Sequence, residues 1–158
     1  MNTDKIKLSD KTCVAITTLF GIGYAPLLGG TLASIVAVVI FILIKNQLYF
    51  FIFTTISLIL AFSLSDRAEK IFEEKDCKKI VIDDFSGMLV SLLFIPYDIK
   101  FIICGFLLFR MFDAFKIPPI DRIECLPGAK GVVGDDLAAG IFTLIILHVA
   151  RLALKIAS

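Results

Sequence analysis

The amino-acid sequence predicts an all-α fold. The expectation is an integral membrane helical bundle with about five membrane helices, two of them a short helical hairpin, and room for an interfacial helix at the N-terminus. Three observations lead there. Of the 158 residues 58% are hydrophobic, and the mean hydropathy is +0.94. A domain this small keeps a large share of its surface uncovered, so that much apolar surface needs lipid. The apolar residues gather into five runs, and the basic residues crowd into alternate connections between them. The length is that of one domain, residues 1–158.

Taken in order, the segment before Asp10 is polar and expected to fray, and Lys11–Phe20 suits a short interfacial helix. Thr31–Ile44, extendable back to Ala25, is the first span, and Leu48–Leu64 the second. Phe85–Ile95 is too short to cross a ~30 Å core, which takes about 20 residues. Run back through Lys78 it becomes adequate and places Asp83 and Asp84 in its first turns. Ile99–Phe112, run forward to Phe115, takes in Arg110 and Asp113, and Pro96-Tyr97-Asp98 is the tight turn of the hairpin. Leu137–Ile156 is a full-length last span.

Lys5, Lys7 and Lys11 precede the first span. Arg67, Lys70, Lys75, Lys78 and Lys79 precede the third, and Lys116, Arg122 and Lys130 the fifth. Lys45 and Lys100 stand alone in the other connections. The N-terminus and the connections 66–79 and 113–136 are therefore expected in the cytoplasm, with every candidate acid on that face. Arg151 and Lys155, near the far end of the last span, oppose this mildly. No basic stripe with interleaved aromatics appears, so nucleic acid is not an expected partner. The cysteines Cys13, Cys77, Cys104 and Cys125 are scattered, with no metal or disulfide spacing.

Charge near bilayer depth costs ~2.5–3.5 kcal/mol per residue and is kept where it pairs, binds metal or meets a ligand. Asp83 and Asp84 share roughly one helix face with Gly87, whose missing side chain leaves room for a helix or a ligand. Acids at a helix start favoured by the macrodipole are the plain alternative. Arg110, Asp113 and Lys116 recur every three residues, a pattern suited to two cations holding a phosphate beside a metal-binding carboxylate, or to an intrahelical ion-pair ladder. The stretch PGAKGVVGDD carries Gly128, Gly131 and Gly134 into Asp135 and Asp136. It reads as a glycine-rich loop offering N–H groups to phosphate, ending in two acids that are metal ligands or caps. The single histidine, His148, lies deep in the last span, far from these acids. That argues against phosphohistidine and Ser-His-Asp chemistry. Cys104 and Arg110 have the Cys-x5-Arg spacing of thiol phosphatases, but on an apolar helix without the open loop those enzymes need. Carboxylate and divalent-metal chemistry remains.

Four blocks then resemble the bacterial phosphatidylglycerophosphatase A family. They are GIGYAPLLGGTLAS with Gly21, Gly23, Pro26, Gly30, Thr31 and Ser34; IVIDDFSGM with Asp83, Gly87 and Met88; FRMFDAFKIPP with Phe109, Arg110, Asp113, Lys116 and Pro119; and GAKGVVGDDLAAG with Gly128, Gly131, Asp135, Asp136, Ala139 and Gly140. Asp84 stands for the usual Glu, and Gly29, Ala33, Ile117 and Ala129 replace family prolines or glycines, changing backbone stiffness but no charge.

The resemblance implies an all-helical membrane enzyme hydrolysing phosphatidylglycerophosphate, a phospholipid, to phosphatidylglycerol and phosphate with Mg²⁺. Its setting would be the bacterial cytoplasmic membrane, with the site facing the cytoplasm. Asp83, Asp84, Asp113, Asp135 and Asp136 would hold one or two Mg²⁺. Arg110 and Lys116 would grip the phosphate, with Thr31, Gly87, Gly128 and Gly131 also at the substrate. Attack would come from metal-activated water or from an aspartate forming an acyl phosphate. A small ion or proton-coupled transporter fits less well, because the second span is apolar apart from Thr54, Thr55 and Ser57. A non-catalytic assembly subunit has no use for acids gathered on one face. The D-G-x-x-A-R signature of CDP-alcohol phosphotransferases is absent.

Overall fold

The computed structural model describes residues 8–74, 77–115, 118, 120, 123 and 129–157. Among them are six α-helices and no strand: α1 (Leu8–Thr17), α2 (Gly29–Leu43), α3 (Gln47–Phe72), α4 (Ile82–Ser91), α5 (Ile99–Phe115) and α6 (Ala129–Ala157). A single 3₁₀ turn, Ile22–Tyr24, interrupts the connection between α1 and α2.

Local chemistry sets several boundaries. Asn46 caps α3 by accepting the Leu48 and Tyr49 N–H groups, and Glu73 ends it in the left-handed region at φ 54°. The expected turn at Pro96-Tyr97-Asp98 is present, and Asp98 starts α5. Its carboxylate accepts the Lys100 N–H at 2.9 Å, and its carbonyl accepts the Ile102 N–H at 3.1 Å.

Helix α4 is the centre of the molecule. Every one of its residues except Asp84 is buried. It packs against α6 and α2, with α3 and α5 completing its surroundings. Met88 and Leu89 join Phe41, Phe50, Phe109 and Leu92 in the main core. The α4–α6 crossing is close because Gly87 and Gly140 face each other's backbones. A β-carbon at Gly140 would run into the Gly87 carbonyl oxygen, and one at Gly87 would lie 2.6 Å from the Asp136 carbonyl oxygen. The buried hydroxyls of this region are satisfied: Ser86 bonds the Ile82 carbonyl and Ser57, and Ser91 bonds the Met88 carbonyl.

Several expectations are corrected here. Among the described residues two helices are long and apolar enough to cross a bilayer, Gln47–Phe72 and residues Gly131–Lys155 of α6, against the expected total of about five membrane helices. α2 has 15 residues, α5 has 17 and α4 only 10, about 15 Å of helix. The third span does not extend back to Lys78, because residues 77–81 are not helical. The Val81 N–H is drawn off to the Thr17 carbonyl at 2.9 Å, tying that stretch of backbone to the end of α1. The glycine-rich loop is, from Ala129 onward, the first turns of α6, so neither Asp135 nor Asp136 is a cap. The N-terminal helix is present as Leu8–Thr17 rather than 11–20.

Large apolar side chains cover much of the outside, among them Leu43, Ile52, Ile59, Leu107, Ile145 and Val149. The connection between α1 and α2 adds Phe20 and Leu27, 88% and 98% exposed.

Candidate functional site

The tie between Val81 and Thr17 fixes where α4 begins, and so where Asp83 and Asp84 stand. Asp83 is buried, and its carboxylate accepts the backbone N–H of Asp84 at 2.9 Å. Asp84 reaches the other way, toward the first turn of α2. It fits there because Gly30 has no side chain: a β-carbon at Gly30 would fall 2.6 Å from the Asp84 carboxyl carbon. The glycine crossing brings the second turn of α6 onto the same spot. Asp135 and Asp136 are each 6% exposed, and the Asp135 carboxylate accepts the Asp136 N–H at 2.9 Å, the same arrangement as in the first pair.

α5 supplies the opposing wall. One nitrogen of Arg110, Nη1, forms ion pairs with both Asp84 and Asp113, the latter at 2.7 Å. A cavity of about 760 Å³ opens between these elements. It is lined by Asp83, Asp84, Asp113, Asp135, Asp136 and Arg110 together with Gly23–Leu27, Gly29, Gly30 and the turn Cys77–Ile80. The five acids expected from the sequence, and Arg110, thus line one cavity.

The electrostatics of the cluster suit it to a cation. Burial, then the neighbouring Asp84 charge, pushes the Asp83 carboxyl well above the ordinary carboxylate range. Burial and Asp113 push Asp84 up to about 6, against the pull of Arg110. Carboxylates so placed shed their repulsion by holding protons or by sharing a cation. Asp83, Asp84 and Asp136 each offer an oxygen, and these oxygens lie within 4.8 Å of one another. A cation with ~2.1 Å bonds holds opposite ligands about 4.2 Å apart, so the residues present fit a hard divalent ion.

Other candidates fall elsewhere. Gly87 is at the helix crossing, packed against the Asp136 backbone and Phe109 rather than on the cavity wall. Thr31 follows Gly30 into α2 and Gly131 is buried in α6, neither on the wall. Lys116 and Gly128 lie outside the described residues. Lys78 and Lys79 do line the cavity, although their sequence context marks only topology. So does Tyr24, which no charge or spacing pattern singles out.

Comparison with known proteins agrees with this picture. The family model described as Phosphatidylglycerophosphatase A matches residues 15–151. A Bacteroides thetaiotaomicron protein provisionally named phosphatidylinositol-3-phosphatase is 32% identical over 148 residues, covering 87% of this chain and 92% of its own. The phosphatidylglycerophosphatase A of Escherichia coli is 30% identical, over 82% of this chain and 77% of its own. That of Haemophilus influenzae is 32% identical, over 78% and 77%. No solved structure matches the chain.

Proposed function

Because the chain belongs to the phosphatidylglycerophosphatase A family, and is a lipid phosphatase of the phosphoric monoester hydrolase class, we propose that it hydrolyses phosphatidylglycerophosphate to phosphatidylglycerol and phosphate with Mg²⁺. The observation that carries this reading is the meeting of five carboxylates and Arg110 on one cavity beside an apolar exterior.

In this reading Asp83, Asp84 and Asp136 hold the cation, with Asp113 and Asp135 in reach to share it. Mg²⁺ bound there supplies Lewis acidity toward a phosphoryl oxygen. Arg110 orients the monoester. Its planar fork has five N–H donors, and the two carboxylates on Nη1 hold that fork in place. A carboxylate not engaged with the cation either takes a proton from attacking water or itself attacks phosphorus. The second route forms an acyl phosphate, breaks the bond to the glycerol oxygen, and is completed by water. Rapid quench of a single turnover with substrate ³²P-labelled in its monoester phosphate separates them, since radiolabel held covalently on an aspartate reports the acyl phosphate.

We place the chain in the bacterial cytoplasmic membrane with its cavity at the cytoplasmic face. The exposed apolar belt and two span-length helices support this, as does the basic character of the connections on the acid-bearing side.

The test is phosphate release from phosphatidylglycerophosphate by purified protein in detergent. Release that requires Mg²⁺, stops with EDTA and returns on adding Mg²⁺ supports the reading; full turnover in metal-free buffer overturns it. The Bacteroides relative's name favours a second substrate, phosphatidylinositol 3-phosphate. The two lipids share one arrangement: a diester phosphate and a monoester phosphate on carbons one and three, with a hydroxyl on the carbon between. Comparing kcat/KM on both ranks them.

A further inference from the structure

The cavity wall carries five carboxylates against three cations, among the described residues, while its proposed substrate is a polyanion. Arg110 is already engaged by Asp84 and Asp113. The other two cations, Lys78 and Lys79, are exposed residues of the turn that lines the cavity. No ion pair among the described residues engages either ammonium.

The turn that carries them is held from several sides. Its flanking residues Cys77 and Ile80 are buried, and the Ile80 N–H bonds the Cys77 carbonyl at 2.8 Å. The next residue, Val81, is tied to Thr17. The Lys79 carbonyl sits where a β-carbon at Gly23 would be, so the turn is pressed onto the Gly23 backbone. The Lys79 ammonium lies 5.2 Å from the centre of the Phe72 ring. These are cations on a fixed mount.

We propose that Lys78 and Lys79 bind the diester phosphate of the substrate head group, and so select lipids that carry a diester three carbons from the monoester. The inference rests on the lipid phosphatase reading above and adds a division of labour to it. The buried acids and Arg110 take the monoester. The two lysines, on the turn that lines the same cavity, take the phosphate nearer the lipid tails. Lysine suits this role, because a diester has a single charge spread over two oxygens, for which a mobile point charge serves as well as a fork.

Product inhibition splits the substrate into its halves, since phosphatidylglycerol carries only the diester and inorganic phosphate stands for the monoester. The full-length protein and its Lys78→Gln/Lys79→Gln double variant are assayed with phosphatidylglycerophosphate in neutral-detergent micelles. We expect KM for the substrate and Ki for phosphatidylglycerol to rise roughly 10-fold or more, the scale of a lost charge-assisted hydrogen bond, while Ki for inorganic phosphate moves less than about 2-fold. The Lys78→Arg/Lys79→Arg variant keeps both charges and should restore KM. An unchanged KM, a parallel rise in the Ki of inorganic phosphate, a wild type insensitive to phosphatidylglycerol, or a KM defect that persists in the arginine pair each overturns the assignment. If the unaltered protein releases no phosphate from this lipid, the proposed function falls as well, an outcome distinct from an active enzyme with indifferent lysines.

Discussion

Replacing Gly87 with alanine would add one methyl group to the α4–α6 crossing, and its cost can be worked from the geometry. The new β-carbon would lie 2.6 Å from the Asp136 carbonyl oxygen and 2.8 Å from Cε2 of Phe109, a fully buried ring. Ordinary contact begins at 3.4 Å, so α4 and α6 must part by about 0.8 Å. Overpacking of this kind costs ~1–3 kcal/mol of stability. The larger effect is on chemistry. Asp136 is the residue struck, and its carboxylate completes the oxygen set with Asp83 and Asp84. A ~1 Å misplacement of catalytic groups costs on the order of 10²-fold in rate. Specific activity per folded molecule should therefore fall about 100-fold while the protein still melts cooperatively in detergent. Gly105→Ala is the matched control. There the β-carbon meets only the side-chain ends of Leu147 and Leu92, at 3.1 and 3.2 Å, so stability falls and activity per folded molecule stays near normal. A Gly87→Ala protein within about 2-fold of wild-type activity would refute the claim that this crossing sets the acid geometry.

Asp83→Asn keeps the shape of the side chain and removes a charge, so turnover should be lost with little loss of folded protein. Near-normal activity there, with Asp136→Asn inactive, would move the centre of the site to α6. Arg110→Lys should lose at least ~10-fold in kcat/KM, because an ammonium cannot hold Asp84, Asp113 and a phosphate in one plane. Reduced melting temperature with normal activity per folded molecule would make Arg110 structural instead. Without a cation, stability should fall as pH rises. Asp84 has its folded value at about 6 against an ordinary 3.8, so its contribution is complete below the lower value and lost as pH passes the upper. In EDTA the melting temperature should be lower at about pH 7.5 than at about pH 5, with Mg²⁺ reversing the difference at the higher pH. A flat profile in EDTA would argue against a repelling carboxylate cluster.

The membership of the site is more legible in the sequence than its construction. Charge inside apolar sequence is expensive, so Asp83, Asp84, Arg110, Asp113, Asp135 and Asp136 stand out, and the cavity collects all six. Hydropathy misjudges the third helix because it registers apolar side chains and not where the Val81 N–H finds its partner. The glycines near 130 read as loop because glycine is a poor helix former in isolation. In the fold Gly134 is in a helix, where a β-carbon would sit 2.8 Å from Ile123. Close packing overrides propensity. The sequence leaves Gly87 facing either substrate or helix, and only the α6 backbone lying over it decides for the helix. Lys78 and Lys79 read as orientation signals because nothing in their spacing says that their turn lines the same cavity as the acids.

The burial of α4 has a consequence for assembly order. A helix of 10 residues with only Asp84 unburied has almost no surface of its own on which to persist, so it cannot stand before its neighbours do. Its main partner, α6, follows the other five described helices and brings Asp135 and Asp136 with it. Until α6 docks, Gly87 lacks the Asp136 backbone that lies over it and the cluster lacks two of its acids. The cluster is therefore completed only when α6 packs onto α4, so the geometry of all five acids depends on that one helix contact.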